Sequence, residues 1–286
     1  MEIKKICVLG AGNMGHGIAQ VCAQAGYDVK IRDVEDRFVQ GGLDRIRKFL
    51  EGSVERNKMT KEQAEVVLAR VTGTTDLKEA AQDADLVIEA IIENIDIKKD
   101  TFKELDIICP AHTILASNTS YQSITEMAGA TKRPDKFLGM HWFNPPPIMR
   151  GIEVIKGEKT SKETLDVIVD LCHKLGKEPG VCKDSPGFIA NRLLQPWRNE
   201  SYRLYDEGVA QFEDIDRALK TAYNFRMGPF ELGDLVGLEV AIVGNETMYR
   251  EFKRDVFKPA WCHIMKVRAG DHGRKTGRGF YEYGEK

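Results

Sequence analysis

The sequence predicts an α/β domain on a mostly parallel sheet, with a helical hairpin inserted at about residues 35–70, followed by an all-α domain. Three observations carry this expectation. Short apolar runs alternate with stretches of helical spacing as far as about residue 185. One of them, residues 85–92, is apolar almost throughout, as a parallel strand covered on both faces reads. Beyond Asp184-Ser185-Pro186-Gly187 the apolar spacing is helical almost to the end, and the Pro-Gly pair suits a boundary. The expected domains are therefore residues 1–185 and 186–286.

The chain opens with an apolar strand at residues 4–9 that runs into Gly10-Ala11-Gly12-Asn13-Met14-Gly15, and then into a helix closed by Gly26. Strand, glycine turn and helix in this order suit a dinucleotide pyrophosphate. Gly10 permits the tight turn, Gly12 lets the backbone approach the phosphates, and Gly15 lets helix and strand pack closely. The helix N-terminus offers unpaired N–H groups and the positive end of its dipole. A second strand ends at Asp33, 21 residues beyond Gly12, where a carboxylate can accept hydrogen bonds from the adenosine ribose hydroxyls. The pattern is that of a Rossmann-type domain. The acid favours NAD over NADP, against the pull of the neighbouring Arg32 and Arg37.

The insertion that follows is charged, with a capped helix start at Thr60-Lys61-Glu62-Gln63. It is either a solvated excursion or a flap whose basic residues (Arg45, Arg47, Lys48, Arg56, Lys58) hold a phosphorylated substrate. Strands are then expected at 71–76, 85–92, 113–116, 136–140 and 151–155, with helices at 97–108 and 162–175. Three strand ends deliver polar residues to one edge of the sheet: Glu93 and Asn94, Ser117 to Ser120, and His141 to Asn144. Ligands of open α/β sheets collect there. A histidine with an ordinary pKa of about 6.5 can lend and accept a proton near neutral pH. Glu153, twelve residues after His141, lies on the returning strand, where it could fix the imidazole tautomer and stabilise the imidazolium.

The bulk composition excludes several classes. Forty-two basic and 44 acidic side chains leave a formal charge of −2, which points to neither nucleic acid nor an anionic membrane. No apolar run has the length of a membrane span, and the first residues do not read as a signal peptide. Six scattered cysteines without a CxxC pair fit reduced thiols in a cytoplasmic protein and no metal site.

Six strings, in order, resemble the L-3-hydroxyacyl-CoA dehydrogenases in their short bacterial form over essentially the full length. They are the glycine turn continued through His16-Gly17-Ile18-Ala19, Ser117-Asn118-Thr119-Ser120, Gly139-Met140-His141-Trp142-Phe143-Asn144-Pro145, the stretch from Asp184 to Arg192, Met227-Gly228-Pro229-Phe230, and the stretch from Gly273 to Tyr281. The resemblance implies oxidation of an (S)-3-hydroxyacyl-CoA to the 3-oxoacyl-CoA. Its catalytic set would be His141 and Glu153 as a dyad, with Ser120 and Asn191 near the substrate oxygen. It implies NAD contacts at Gly10, Gly12, Asn13, Met14, Gly15, Asp33, Glu93, Lys98, Ser120, Asn144 and Lys275. It also implies that the hairpin lies over coenzyme A, with Arg56 as a basic contact, and that the chain dimerises through its helical domain.

Departures from the family pattern are Trp142, the string Arg150-Gly151-Ile152-Glu153, Gln195, Trp197 and Arg198, and Trp261-Cys262-His263. Arg198 and Trp197 follow Asn191 within two helical turns and raise the alternative of an aromatic or dicarboxylic acyl chain. Other readings are a hydroxy-acid dehydrogenase without CoA, a non-catalytic NAD-binding protein, and a Ser-His-Glu hydrolase. The first is opposed by the charged hairpin, the second by the presence of both His141 and Glu153, and the third by the lack of a GxSxG elbow.

Overall fold

The computed structural model describes residues 1–284. They divide into two compact units, residues 1–185 and the residues from Pro186 onward. The first unit carries one eight-stranded sheet. Its strands are β1 (Lys5–Leu9), β2 (Asp28–Arg32), β3 (Val71–Thr74), β4 (Leu86–Glu89), β5 (Ile114–Ser117), β6 (Phe137–Trp142), β7 (Gly151–Lys156) and β8 (Glu178–Lys183). The order across the sheet is β3-β2-β1-β4-β5-β6-β7-β8. Every neighbouring pair is parallel except β6 and β7. Chain order reverses between β1 and β4, and the crevice outside the carboxyl ends of such strands is where nucleotides bind in open sheets.

Burial explains why these segments are strands. Ile6, Val8, Leu86, Ile88, Leu115 and Ala116 are at most 1 % exposed, and each large side chain so covered contributes about 1.5–3 kcal/mol. Helices α1 (Gly15–Gln24), α4 (Leu77–Ala81), α5 (Ile95–Ile108), α6 (Ile124–Gly129) and α7 (Lys162–Lys174) connect the strands.

The inserted hairpin consists of α2 (Asp36–Glu55) and α3 (Lys61–Ala69). Val39, Gly42, Ile46, Leu50 and Ser53 form one buried stripe along α2. Thr60 Oγ1 accepts from the Gln63 amide while Gln63 Oε1 accepts from the Thr60 amide, so the predicted cap is a full capping box.

The expected strands and helices of this unit are present with ends shifted by a few residues. Short α4 and α6, and β8, are elements that periodicity does not reveal. β8 contains Pro179 and Gly180, which ordinarily disqualify a strand, and it is tolerated because it lies at the sheet edge.

The second unit is all-helical: α8 (Ala190–Asp206), α9 (Phe212–Ala222), α10 (Pro229–Val236), α11 (Leu238–Phe252) and α12 (Trp261–Arg268). Its core is aromatic, with Tyr202 stacked on Phe280 at 5.0 Å and Phe230 edge-on to Phe280 at 4.7 Å. Two buried carboxylates brace it. Asp216 accepts from the Phe230 and Glu231 amides at the start of α10 and from the Tyr281 hydroxyl. Asp234 accepts from the Phe280 and Tyr281 amides and from the Tyr283 hydroxyl. A Cβ on Gly228 or Gly279 would lie 2.2 or 2.0 Å from these carboxylates, which is why both positions are glycine.

Candidate active site

The glycine turn sits at the carboxyl end of β1. Gly10 has φ +94°, and a Cβ there would lie 2.4 Å from the carbonyl oxygen of Ala90, the residue just after β4. A Cβ on Gly15 would lie 1.7 Å from the Gly10 carbonyl oxygen. A Cβ on Gly12 would meet nothing within 4 Å, so this residue borders open space at the amino end of α1. Helix α1 has no side-chain cap, which leaves its first N–H groups available to an anion. The turn thus fits a dinucleotide pyrophosphate on its own geometry.

Three side chains hold this turn in shape. Asp33 Oδ2 accepts from the Ala11 amide at 2.7 Å, and its Oδ1 accepts from the Val34 amide at 2.7 Å. Each carboxylate oxygen keeps a further lone pair for a ribose hydroxyl. Arg45 on α2 donates to the Ala11 carbonyl at 2.6 Å, and His16 Nδ1 lies 2.6 Å from the Gly12 carbonyl. Burial lowers the His16 pKa below the usual histidine range. The hairpin therefore touches the turn directly, and Gly42 is needed there because a Cβ would fall 2.9 Å from that of Ala11. Of the five basic hairpin residues singled out in the sequence, Arg45 is engaged with the turn and Arg56 is exposed. No periodicity signal announces the Arg45 contact, because it depends on how α2 packs against α1 and the glycine turn.

The strand-end cluster begins with β4. Glu89 is fully buried and accepts from Lys98 Nζ at 2.6 Å, from the Ile91 amide at 2.8 Å and from Ser117 Oγ at 2.6 Å. Lys98, on α5 and 1 % exposed, also pairs with Glu93 at 3.1 Å. Glu93 in turn accepts from the Thr119 hydroxyl and, at 3.1 Å, from the Ser120 amide. Glu93, Lys98 and Ser120 are thereby brought together. Glu89 and Ser117 are further members whose roles the sequence leaves unassigned. Glu89 reads in the sequence as one polar residue inside an apolar strand, which was the available signal.

His141 and Glu153 occupy paired positions of the antiparallel strands β6 and β7. The imidazole Nδ1 lies 2.5 Å from Glu153 Oε2, and Nε2 lies 3.1 Å from Ser120 Oγ. The two residues are 5 % and 4 % exposed, and the His141 ring leans on Phe143 at 4.9 Å. A carboxylate can only accept, so Nδ1 carries the proton in the neutral ring and Nε2 presents its lone pair toward the serine hydroxyl. This arrangement can take a proton at Nε2 and stabilise the resulting cation through Glu153.

Asn144 is exposed in the turn after β6. The same turn is held by Lys177, whose Nζ donates to the Pro146 and Met149 carbonyls at 2.6 Å each. It also rests on α1, where a Cβ on Gly17 would lie 2.9 Å from Pro146. Burial lowers the Lys177 pKa from the usual lysine value. Asn13 and Met14 lie within the glycine turn, with Met14 at the N-cap of α1. Asn191 is on the first turn of α8, and Lys275 forms an ion pair with Glu239, both within the helical unit. Among the described residues no group of three metal-ligating side chains occurs, and no helix is long and apolar enough to cross a membrane.

Comparison with known proteins assigns both units. Residues 5–185 match the model of the 3-hydroxyacyl-CoA dehydrogenase NAD-binding domain, and residues 187–283 match that of its C-terminal domain. The chain is 44 % identical over 288 residues to a probable 3-hydroxybutyryl-CoA dehydrogenase of Bacillus subtilis, covering 100 % of this chain and 99 % of that one. It is 41 % identical over 287 residues to the human mitochondrial hydroxyacyl-coenzyme A dehydrogenase, covering 98 % and 91 %. Among solved structures it resembles an (S)-3-hydroxybutyryl-CoA dehydrogenase from Ralstonia eutropha. The TM-score is 0.95 with 40 % identity, covering 99 % of this chain and 100 % of that one.

Proposed function

The chain belongs to the 3-hydroxyacyl-CoA dehydrogenase family and is an NAD-dependent enzyme of that activity, and from this premise we propose how its residues perform the reaction and on which substrate. The contact that carries the reading is Nδ1 of His141 at 2.5 Å from Glu153, with Nε2 turned to Ser120. In the oxidation direction His141 Nε2 removes the proton of the 3-hydroxyl group, and Glu153 stabilises the imidazolium that forms. In reduction the same nitrogen returns the proton. Ser120 Oγ orients the substrate oxygen, and Asn191 donates its amide to it. Bound NAD supplies the hydride acceptor. The glycine turn from Gly10 to Gly15 holds the pyrophosphate, Asp33 the adenosine ribose, and Glu93, Lys98, Asn144 and Lys275 the remainder of the cofactor. Arg56 on the exposed side of the hairpin contacts coenzyme A.

The substrate we propose is a short plain (S)-3-hydroxyacyl-CoA, with 3-hydroxybutyryl-CoA foremost. Arg198, which suggested a carboxylated chain, is 3 % exposed and donates to Gln195 at 2.7 Å, and Trp197 packs edge-on against Phe225. Both are engaged within the helical unit. Steady-state kinetics on four-carbon, longer and dicarboxylic 3-hydroxyacyl-CoA substrates test this, with the highest kcat/KM expected for the four-carbon compound. A preference for a dicarboxylic substrate overturns it.

We also propose a homodimer through the helical unit, where Leu193, Leu235, Val240, Val243 and Trp261 are exposed apolar residues. Sedimentation equilibrium is expected to give twice the chain mass. A cytoplasmic location agrees with the six free cysteines.

A further inference from the structure

We infer that Arg45, on the inserted hairpin, is a positioning residue for the cofactor pyrophosphate: it grips the Ala11 carbonyl and thereby aims the Gly12 N–H group at the phosphates. Ala11 is held at both ends. Its amide donates to Asp33 Oδ2 at 2.7 Å, and its carbonyl accepts from Arg45 Nη2 at 2.6 Å. The peptide that joins Ala11 to Gly12 is planar and trans, so its C=O and N–H groups point in opposite directions. A guanidinium fixed on the carbonyl side therefore fixes where the Gly12 N–H points. That direction is away from Arg45, on a residue that borders open space.

The approach of α2 is built for this contact. Gly42 lies one turn before Arg45 on the same face, and a Cβ there would fall 2.9 Å from the Ala11 Cβ and 3.0 Å from its carbonyl oxygen. A larger residue would hold the helix off and carry the guanidinium out of reach. Asp44, next to Arg45, pairs with Arg47 and Gln40 instead, so this neighbour leaves the Arg45 charge to the turn. A cation bound to the carbonyl also polarises the peptide and makes its N–H a stronger donor. The following carbonyl, of Gly12, has His16 Nδ1 at 2.6 Å, which fixes the Asn13 N–H by the same geometry. The donors are thus set before the cofactor arrives, where a glycine turn left to itself would have to be ordered by the ligand. The guanidinium stays on the far side of the peptide and does not touch the phosphates. The inference rests on the reading above that the turn from Gly10 to Gly15 holds the pyrophosphate.

The test is equilibrium binding of NAD+, NADH and ADP-ribose to the full chain by calorimetry, with adenosine measured by competition, for the wild type and for Arg45→Met. Arg45 is exposed and lies off the buried stripe of α2, so the variant keeps the packing of the hairpin. The ligands that carry a pyrophosphate are expected to weaken by a common factor of roughly 5 to 20, less than the loss of a whole hydrogen bond to a charged group, because Gly12 keeps its N–H. Adenosine has the ribose but no phosphate, and its affinity is expected to stay within about twofold, as is kcat at saturating cofactor. In the unliganded variant the amide nitrogen resonance of Gly12, which responds to hydrogen bonding at the preceding carbonyl, is expected to move upfield. An unchanged ADP-ribose affinity overturns the inference, as does an unmoved Gly12 resonance. An equal loss for adenosine means that Arg45 only supports the fold around Asp33, and overturns it too.

Gly12→Ala separates this from failure of the underlying reading. Gly12 has no positive φ, and the added Cβ meets nothing within 4 Å in the protein, so the variant disturbs only what lies against the turn. If ADP-ribose binds this variant as it binds the wild type, the pyrophosphate does not sit at the turn, and the inference falls with that reading. If Gly12→Ala weakens ADP-ribose while Arg45→Met leaves it alone, only the present inference falls.

Discussion

At the scale of single residues, the proposed chemistry is concentrated in few atoms. Replacing His141 with Gln removes the proton acceptor but keeps a polar side chain of similar reach. Turnover is expected to fall by about 10²- to 10⁴-fold while NADH still binds, read by stopped-flow kinetics and a fluorescence titration. Unchanged turnover takes the residue out of the mechanism. Asp33→Ala is expected to lower the kcat/KM ratio of NAD over NADP, since both carboxylate oxygens disappear together with their hold on the Ala11 and Val34 amides. A ratio that stays put refutes the ribose assignment. His141 and Asp33 were legible in the sequence because a strand end or a glycine-turn spacing marks them. The contacts that Arg45, His16 and Glu89 make, with Ala11, Gly12 and Ser117, were not, because they depend on how the glycine turn, α2, β4 and β5 come together in the fold.

At the scale of elements, the decisive feature is the reversal at β7. A parallel strand there would have needed a crossover. The antiparallel return places position 153 opposite 141 across one turn. The alternation of apolar Ile152 and Val154 with Glu153 keeps both members of the pair on the same face, so a one-residue slip would turn the carboxylate away. The sequence revealed the strands themselves, since burial on both faces leaves long apolar runs. It concealed β8, because Pro179 and Gly180 are turn residues in most settings and only an edge position accommodates them. The hairpin offers a separate check. Thr60→Ala removes half of the capping box and is expected to destabilise the first unit by about 1 kcal/mol in urea unfolding, with little effect on the NAD affinity. A much larger loss would mean that α3 bears on the sheet more heavily than its two buried residues, Ala64 and Val67, suggest.

At the scale of the molecule, the helical unit answers to pH through buried groups of opposite sign. In the helical unit, His263 is fully buried, with Nε2 at 2.8 Å from the Leu238 carbonyl, and burial pushes its pKa down to about 4. A folded-state pKa below the unfolded value of about 6.5 means that the unfolded chain takes up the proton first. The associated stability is complete above pH 6.5 and is lost as the pH falls toward 4. The loss between pH 7 and 5 is expected to be on the order of 2 kcal/mol. Asp216 and Asp234 act in the opposite sense, because burial raises their pKa values and stability from that source falls as the pH rises from the unfolded value. Comparison with His263→Gln isolates the histidine. This variant keeps a donor for the Leu238 carbonyl, and its melting temperature is expected to depend less on pH across that window. Parallel curves for the two proteins refute the assignment. Those two aspartates, on α9 and α10, also tie these helices to amides and hydroxyls at positions 280, 281 and 283, and Phe280 fills the aromatic core. During synthesis the sheet-bearing unit has all its strands once residue 185 clears the ribosome, whereas the helical bundle lacks its keystone until Tyr283 emerges. At roughly 5–20 residues per second, the nascent bundle waits for seconds with its aromatic side chains uncovered. That interval, rather than the finished fold, is when this part of the chain is most open to chaperone capture or to aggregation.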